Sequence, residues 1–248
     1  MTADAPGPVS SSADAAGASS GAGASSSATS DPPLTDAQKS LRAQMLATEH
    51  WSLLASRSTT QSEVLTRIAI FLTLVSAGLV TLGVLGNATE FRGWFGIAAL
   101  GVLVLLVLLG VITQFRVFNT ATEDLAYVLA MNRLRGAYLD LDPGIERYFL
   151  MGTTDDEAGI GQTYYPFAAR DRTQVFASSA MVMLVVNTAL VGLLTGALVY
   201  AFTASVGWSV ATGAVVAVVS FLFWMFHGYR SYLEVLRTHV PLRRKPGT

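Results

Sequence analysis

Four stretches of the chain carry no Asp, Glu, Lys, Arg or His: residues 68–85, 94–113, 175–202 and 206–226. The shortest is 18 residues, about 27 Å as a helix, which with its flanks matches a hydrocarbon core of roughly 30 Å. None alternates with period two, and a backbone in lipid must satisfy its own hydrogen bonds. The runs therefore predict transmembrane helices rather than barrel strands. The connections between them are unequal: 86–93 and 203–205 are short, and 114–174 is long. The pattern predicts an all-α protein of four transmembrane helices in two hairpins, with cytoplasmic helical extensions and a disordered N-terminal tail.

Polar periodicity fills in the extensions. Thr35-Asp36-Ala37-Gln38 after Pro32-Pro33 reads as a capping box. It opens a helix on which Leu41, Met45, Leu46, Leu53 and Leu54 recur at helical spacing. Thr60 with Glu63 offers a second cap and predicts a break near Ser58. Beyond the second span neither Gly nor Pro occurs until Gly136, so that helix is expected to run on to about Leu139. Its exit carries two apolar stripes, Tyr127, Met131, Leu134 and Tyr138 beside Leu125, Val128, Leu129 and Asn132. A helix with an apolar face in water needs a partner; the first stripe is the expected stem contact, against the 35–60 helix, the helix after the fourth span (Tyr229 to Val240) or another subunit. Asp142-Pro143-Gly144 stops the helix and starts a short one carrying Ile145, Tyr148 and Phe149. Thr153 onward to Tyr165 reads as a loop. The resulting segments are 1–34 tail, 35–60 helix, 64–113 first membrane pair, 114–174 stem and loop, 175–227 second membrane pair and 228–248 basic tail.

Charge gives the orientation. Of 16 Lys and Arg residues only Arg92 lies in a short connection; the other fifteen precede the first span, lie in 114–174 or follow the fourth. By the positive-inside rule both termini and the middle segment are cytoplasmic, which places the chain in the cell (plasma) membrane as a multi-pass protein. Charged residues are 13% of the chain, about half the usual globular share, which argues against a soluble protein. Arg outnumbers Lys, and with the abundance of Ala, Gly and Val this fits a GC-rich bacterial genome. Residues 1–33 are nearly all Ser, Ala, Gly, Thr and Pro, too poor in apolar surface to offset the entropy of ordering.

Candidate chemistry is sparse. With no cysteine, thiolate catalysis and thiolate metal sites are excluded. Asp155-Asp156-Glu157 lacks the ligand spacing of a calcium loop and reads as a solvated acidic loop. Gly159-Ile160-Gly161 lacks a dinucleotide fingerprint and reads as a turn. Ser178-Ser179 has no accompanying base and reads as a packing site; His50, His227 and His239 have no metal-ligand spacing. No catalytic residue, cofactor or metal is expected. In the membrane, Gly192 with Gly196 and Gly213 with Ala217 are small-residue pairs that let backbones approach. Asn187, the most polar residue deep in a span, is expected to make an interhelical hydrogen bond. The spans hold no carboxylate or base, which disfavours a proton-coupled transporter.

The run Glu49-His50-Trp51-Ser52-Leu53-Leu54 with Arg57 and Thr59-Thr60, and Asp124-Leu125-Ala126-Tyr127 through Asn132-Arg133-Leu134-Arg135 to Asp142-Pro143-Gly144, resemble a group of uncharacterised actinobacterial multi-pass membrane proteins. That resemblance covers most of the chain from Thr35 and implies no activity and no site residue. In layout the first half also resembles the SLATT two-span effectors, thought to act as pores in bacterial conflict systems; this chain adds a second membrane pair. Two functions are expected to compete: a non-enzymatic scaffold or signalling adaptor working through its cytoplasmic helices, and an oligomeric pore opened from the cytoplasm. The expected partners are the lipid bilayer, a further copy of the chain and an unidentified cytoplasmic protein, with no nucleic acid.

Reporter fusions test the orientation. Met1, Ala158 and Thr248 should report cytoplasm, and Asn87 and Ala204 the outside; an outside signal at Ala158 would reverse it.

Overall fold

The computed structural model describes residues 34–167 and 178–245, and every element among them is helical. The N-terminal tail expected to be disordered, and the start of the third span at 175–177, lie outside the described residues. The chain divides into Met1–Thr35 and Asp36–Thr248, and the second unit contains all of the helices among the described residues. Its elements are α1 (Asp36–Ala88), α2 (Phe95–Leu141), a 3-10 helix (Pro143–Tyr148), α3 (Glu157–Tyr164), α4 (Ser179–Thr203) and α5 (Val206–Thr238). Four of them, α1, α2, α4 and α5, are long and apolar enough to cross a membrane.

α1 contains no break near Ser58. It is one helix of 53 residues, about 80 Å long. The expected cap fails because neither Gly nor Pro interrupts the stretch. The Thr59 hydroxyl instead donates back to the Ala55 carbonyl at 3.0 Å, inside the helix. α2 runs to Leu141, where Asp142 turns extended and its carboxylate accepts from Gly144 N at 2.9 Å. Pro143 then opens the 3-10 helix at a position where no N–H is needed.

In the apolar half, Val64, Ile68, Phe71 and Val75 of α1 pack with Leu103, Leu106 and Val117 of α2 and Met183 and Leu190 of α4. α5 joins through aromatic contacts: Trp224 meets Phe115 edge-on at 5.2 Å between ring centroids and lies 5.8 Å from Phe118. Gly228 leaves room for Phe118, since a methyl group there would come within 2.7 Å of the ring. Many large apolar side chains on the outer faces stay exposed, among them Val104, Leu108, Val215 and Phe223. Such exposure fits a lipid-facing surface.

The closest helix contact is between α4 and α5. A methyl group on Gly192 would lie 2.7 Å from the Gly213 carbonyl oxygen and 2.8 Å from the Ala217 Cβ, and one on Gly213 would lie 2.7 Å from the Gly192 carbonyl oxygen. Ser209 donates across to the Gly196 carbonyl at 2.5 Å. Gly213→Leu should therefore force the pair apart and cost about 1–3 kcal/mol. Gly207→Ala, facing open space, should be neutral. Unfolding in detergent measures both, and equal stability of the two variants would refute this packing.

Candidate functional site

Three groups of polar or partnered residues stand out beyond ordinary packing. The first lies in the apolar half. Asn187 of α4 is fully buried, yet neither atom of its amide has a hydrogen-bond partner, which corrects the expected interhelical bond. The reason lies opposite it: a methyl group on Gly110 would collide with Asn187 Oδ1. α4 thus presses its amide onto a stretch of α2 that offers no side chain. One turn further along α2, Gln114 is also fully buried with both polar atoms unpartnered, as is the hydroxyl of Thr120. Gln114 sits at the margin of an apolar run, which is why the hydropathy pattern did not single it out. Desolvating such groups without partners costs of order 1–3 kcal/mol each.

The second group is the stem. Of the stripe Tyr127, Met131, Leu134 and Tyr138, Met131 is buried and the other three are half-buried. The neighbouring stripe is the deeper one: Leu125, Val128 and Asn132 are fully buried and Leu129 nearly so. The partner comes from the chain itself. Ile160 of α3 packs on Leu125 and Leu129, with Tyr164 and, from α5, Tyr232, Val235 and Leu236 around them. Asn132 then organises a polar core: its Nδ2 donates to the Thr154 carbonyl at 3.0 Å, and its Oδ1 accepts from Thr163 Oγ1 and Arg135 Nη1, each at 2.8 Å. Across the other side of α2, Asp124 accepts from Arg57 Nε at 2.6 Å, Gln61 Nε2 at 2.8 Å and Tyr164 Oη at 2.8 Å. One carboxylate thus joins α1, α2 and α3. Burial, reinforced by the neighbouring Asp124 charge and its hydrogen bond, pushes the Tyr164 phenol far above its ordinary range, so it stays protonated and donates to Asp124.

The third group overturns two expectations at once. Asp155-Asp156-Glu157 is not a solvated acidic loop: the Asp155 side chain is fully buried. Nor is the following segment a loop with a glycine turn, since Glu157–Tyr164 is helical, capped by Asp156 accepting from Gly159 N at 2.9 Å. Gly159 is required for closeness, because a methyl group there would collide with the Thr154 carbonyl. Ser178 likewise caps α4, accepting from Met181 N at 3.3 Å, instead of packing. Asx and Ser capping spacings could have revealed both helix starts.

Asp155 holds the basic C-terminal strap, residues 239–245. Its Oδ2 accepts from Arg133 Nε at 2.6 Å and Leu242 N at 3.0 Å, and its Oδ1 from Arg243 N at 2.8 Å. Asp155 N donates to the Arg243 carbonyl at 3.2 Å. His239 Nε2 lies 2.8 Å from the Asp155 carbonyl oxygen. Arg133 Nη2 donates to the Val240 carbonyl at 3.2 Å, Lys245 N to Asp156 Oδ2 at 2.7 Å, and the Arg243 guanidinium pairs with Asp140. Burial would raise the Asp155 pKa. The Arg243 N–H, the Arg133 hydrogen bond, the Leu242 N–H and the Arg133 charge together outweigh it and hold the carboxyl at about 2. Among the described residues no group of three or more His, Cys, Asp or Glu could hold a metal ion.

No protein-family model matches the chain, and neither the curated proteins nor the solved structures contain a match. The class that the fold itself defines is a multi-pass helical membrane protein.

The depressed carboxyl sets a pH window. A released Asp155 has the ordinary value of 3.8, so its contribution is complete above that pH. It is lost as acid takes the pH down through about 2, and amounts to about 2 kcal/mol. The chain has no cysteine, so a spin label at Arg244→Cys reports the strap alone. Its motion should be unchanged between about pH 5 and 8 and should increase on acidification below about pH 4. Release centred near neutrality would refute the carboxylate as the latch.

Proposed function

We propose that the protein is a membrane-anchored scaffold or signalling adaptor without catalytic activity, working through helices on the cytoplasmic side of the plasma membrane. In this reading α1 with α2, and α4 with α5, are two membrane hairpins. The extensions of α1, α2 and α5, together with α3, form one cytoplasmic module. The positive-inside count supports the orientation.

One observation carries the adaptor reading. The stem stripes are covered by the chain's own α3 and α5, but the N-terminal part of α1 presents large apolar side chains outward: Leu41 is 54%, Met45 63% and Trp51 72% exposed. In lipid such exposure is ordinary. On a helix extension in water, a Trp, a Met and a Leu left uncovered mark a surface that associates. A photo-crosslinking residue at Met45 in native membranes should therefore give a discrete intermolecular adduct that Trp51→Ala diminishes, and one at Leu129 should give none. Absence of any adduct at position 45 would sink the adaptor reading.

The second reading, an oligomeric pore gated from the cytoplasm, draws support from the unpartnered amides of Gln114 and Asn187, which a water path would satisfy. Flux of ions or dye from liposomes separates the two. The adaptor predicts none from wild type or from Asn187→Leu, because the spans offer no charged ring to stabilise an ion. A flux that Asn187→Leu alters would establish the pore instead.

A further inference from the structure

The strap is attached in a manner unlike the rest of the module. Val240 and Leu242 are 74% and 78% exposed, so its apolar side chains contribute little to holding it. What holds it is polar and mostly backbone. Two successive N–H groups, of Leu242 and Arg243, bond the Asp155 carboxylate, and the Lys245 N–H bonds Asp156. The Val240 carbonyl accepts from Arg133, and the Arg243 carbonyl from Asp155 N. Side chains add the pairing of Arg243 with Asp140 and the His239 ring beside the Asp155 carbonyl oxygen.

Backbone capture of a chain with a few side-chain pockets is how protein surfaces bind extended peptides. The wall is acidic, with Asp140, Asp155 and Asp156 against the single guanidinium of Arg133, and the strap is basic, with Arg243, Arg244 and Lys245. Beside it lies a cavity of about 500 Å³ bordered by Glu157, Ile160, Leu236, Pro241 and Arg244, where an incoming chain has room to enter. A segment held mainly by polar contacts at a surface, with Val240 and Leu242 exposed, belongs to the part of a fold that opens at least cost.

We propose that Arg133, Asp140, Asp155 and Asp156 form a recognition groove for an extended basic peptide. The chain's own residues 239–245 are its resident occupant, and a basic segment of a partner protein exchanges with them. The proposal rests on the adaptor reading for the nature of the partner and names its chemistry: at least two adjacent free backbone N–H groups, with an Arg placed to reach Asp140. A proline at either of the two positions bound by Asp155 would abolish recognition, since it has no N–H to donate.

The test uses the full chain in detergent micelles, with a protease site inserted between Thr238 and His239. After cleavage, a fluorescein-labelled peptide of residues 237–248 is followed by anisotropy. It should bind saturably and be competed by the unlabelled peptide. N-methylation at the positions of Leu242 and Arg243 removes both donors while keeping every charge, and should weaken binding about tenfold or more, as should Asp155→Asn in the protein. Equal binding of the methylated peptide would reduce the contact to non-specific charge attraction and overturn the groove, as would failure of the peptide to bind. If cleavage proves incomplete, a chain ending at Thr238 presents the groove empty. Its melting temperature should rise with added peptide and stay unmoved by the methylated form; no rise with either would equally overturn the proposal. An adduct from position 45 alongside a failed peptide experiment would leave the adaptor reading intact and remove only the groove. The reverse pattern would keep the groove and remove that reading.

Discussion

In hydrocarbon a backbone N–H has no water to turn to, so a chain that enters lipid must close its hydrogen bonds within itself. That requirement shapes the long helices of this molecule, and α2 extends its consequence furthest. Its 47 residues make a rod of about 70 Å, of which the apolar runs occupy less than half. α1, α4, α5, α3 and the 3-10 helix all find their contacts along it. At one end Leu103, Leu106 and Val117 serve the apolar core, and at the other Leu125 and Leu129 serve a second. The two cores share one strut.

At the polar end an apolar core around Leu125, Leu129 and Ile160 is combined with buried carboxylates and one amide. Asp124 gathers α1, α2 and α3; Asn132 gathers α2, the 152–154 turn and α3; Asp155 gathers α2, α3's approach and the strap. Buried polar groups of this kind add little net stability but discriminate strongly between arrangements, because any misplacement leaves a desolvated charge or amide unpaired. The strap illustrates the point. Its Val240 and Leu242 side chains face solvent, and its position is set by polar contacts centred on the buried Asp155 carboxylate and joined by Arg133, Asp140 and Asp156.

The apolar half presents the opposite case. Gln114, Thr120 and Asn187 are enclosed with no protein partner, and Gly110 brings α4 close enough to shut the amide of Asn187 against bare helix. Groups in that condition are satisfied by water or by rearrangement. Either answer concerns how tightly α2 and α4 hold together, the same contact on which the pore and adaptor readings differ.

The existence of four apolar helices was legible from residue order, because lipid solvation depends on composition summed over a span and hardly on which neighbour is present. The same holds for α2's run past its apolar segment, which needed only the absence of Gly and Pro until Gly136, and for the stop at Asp142-Pro143-Gly144. The close approach of α4 and α5 was indicated by glycine spacing, though only the packed helices set Gly192 against Gly213. Tertiary structure decided the rest. A second cap at Thr60 gave way to helix continuity that packing on α2 rewards; the helix after the fourth span does cover the stem as expected, but α3, read from the sequence as a loop, joins it there. Asp155 reads as a solvent-facing acid because a carboxylate's surroundings lie in segments 22 and 87 residues away in sequence, and nothing in local order specifies which of them will fold over it.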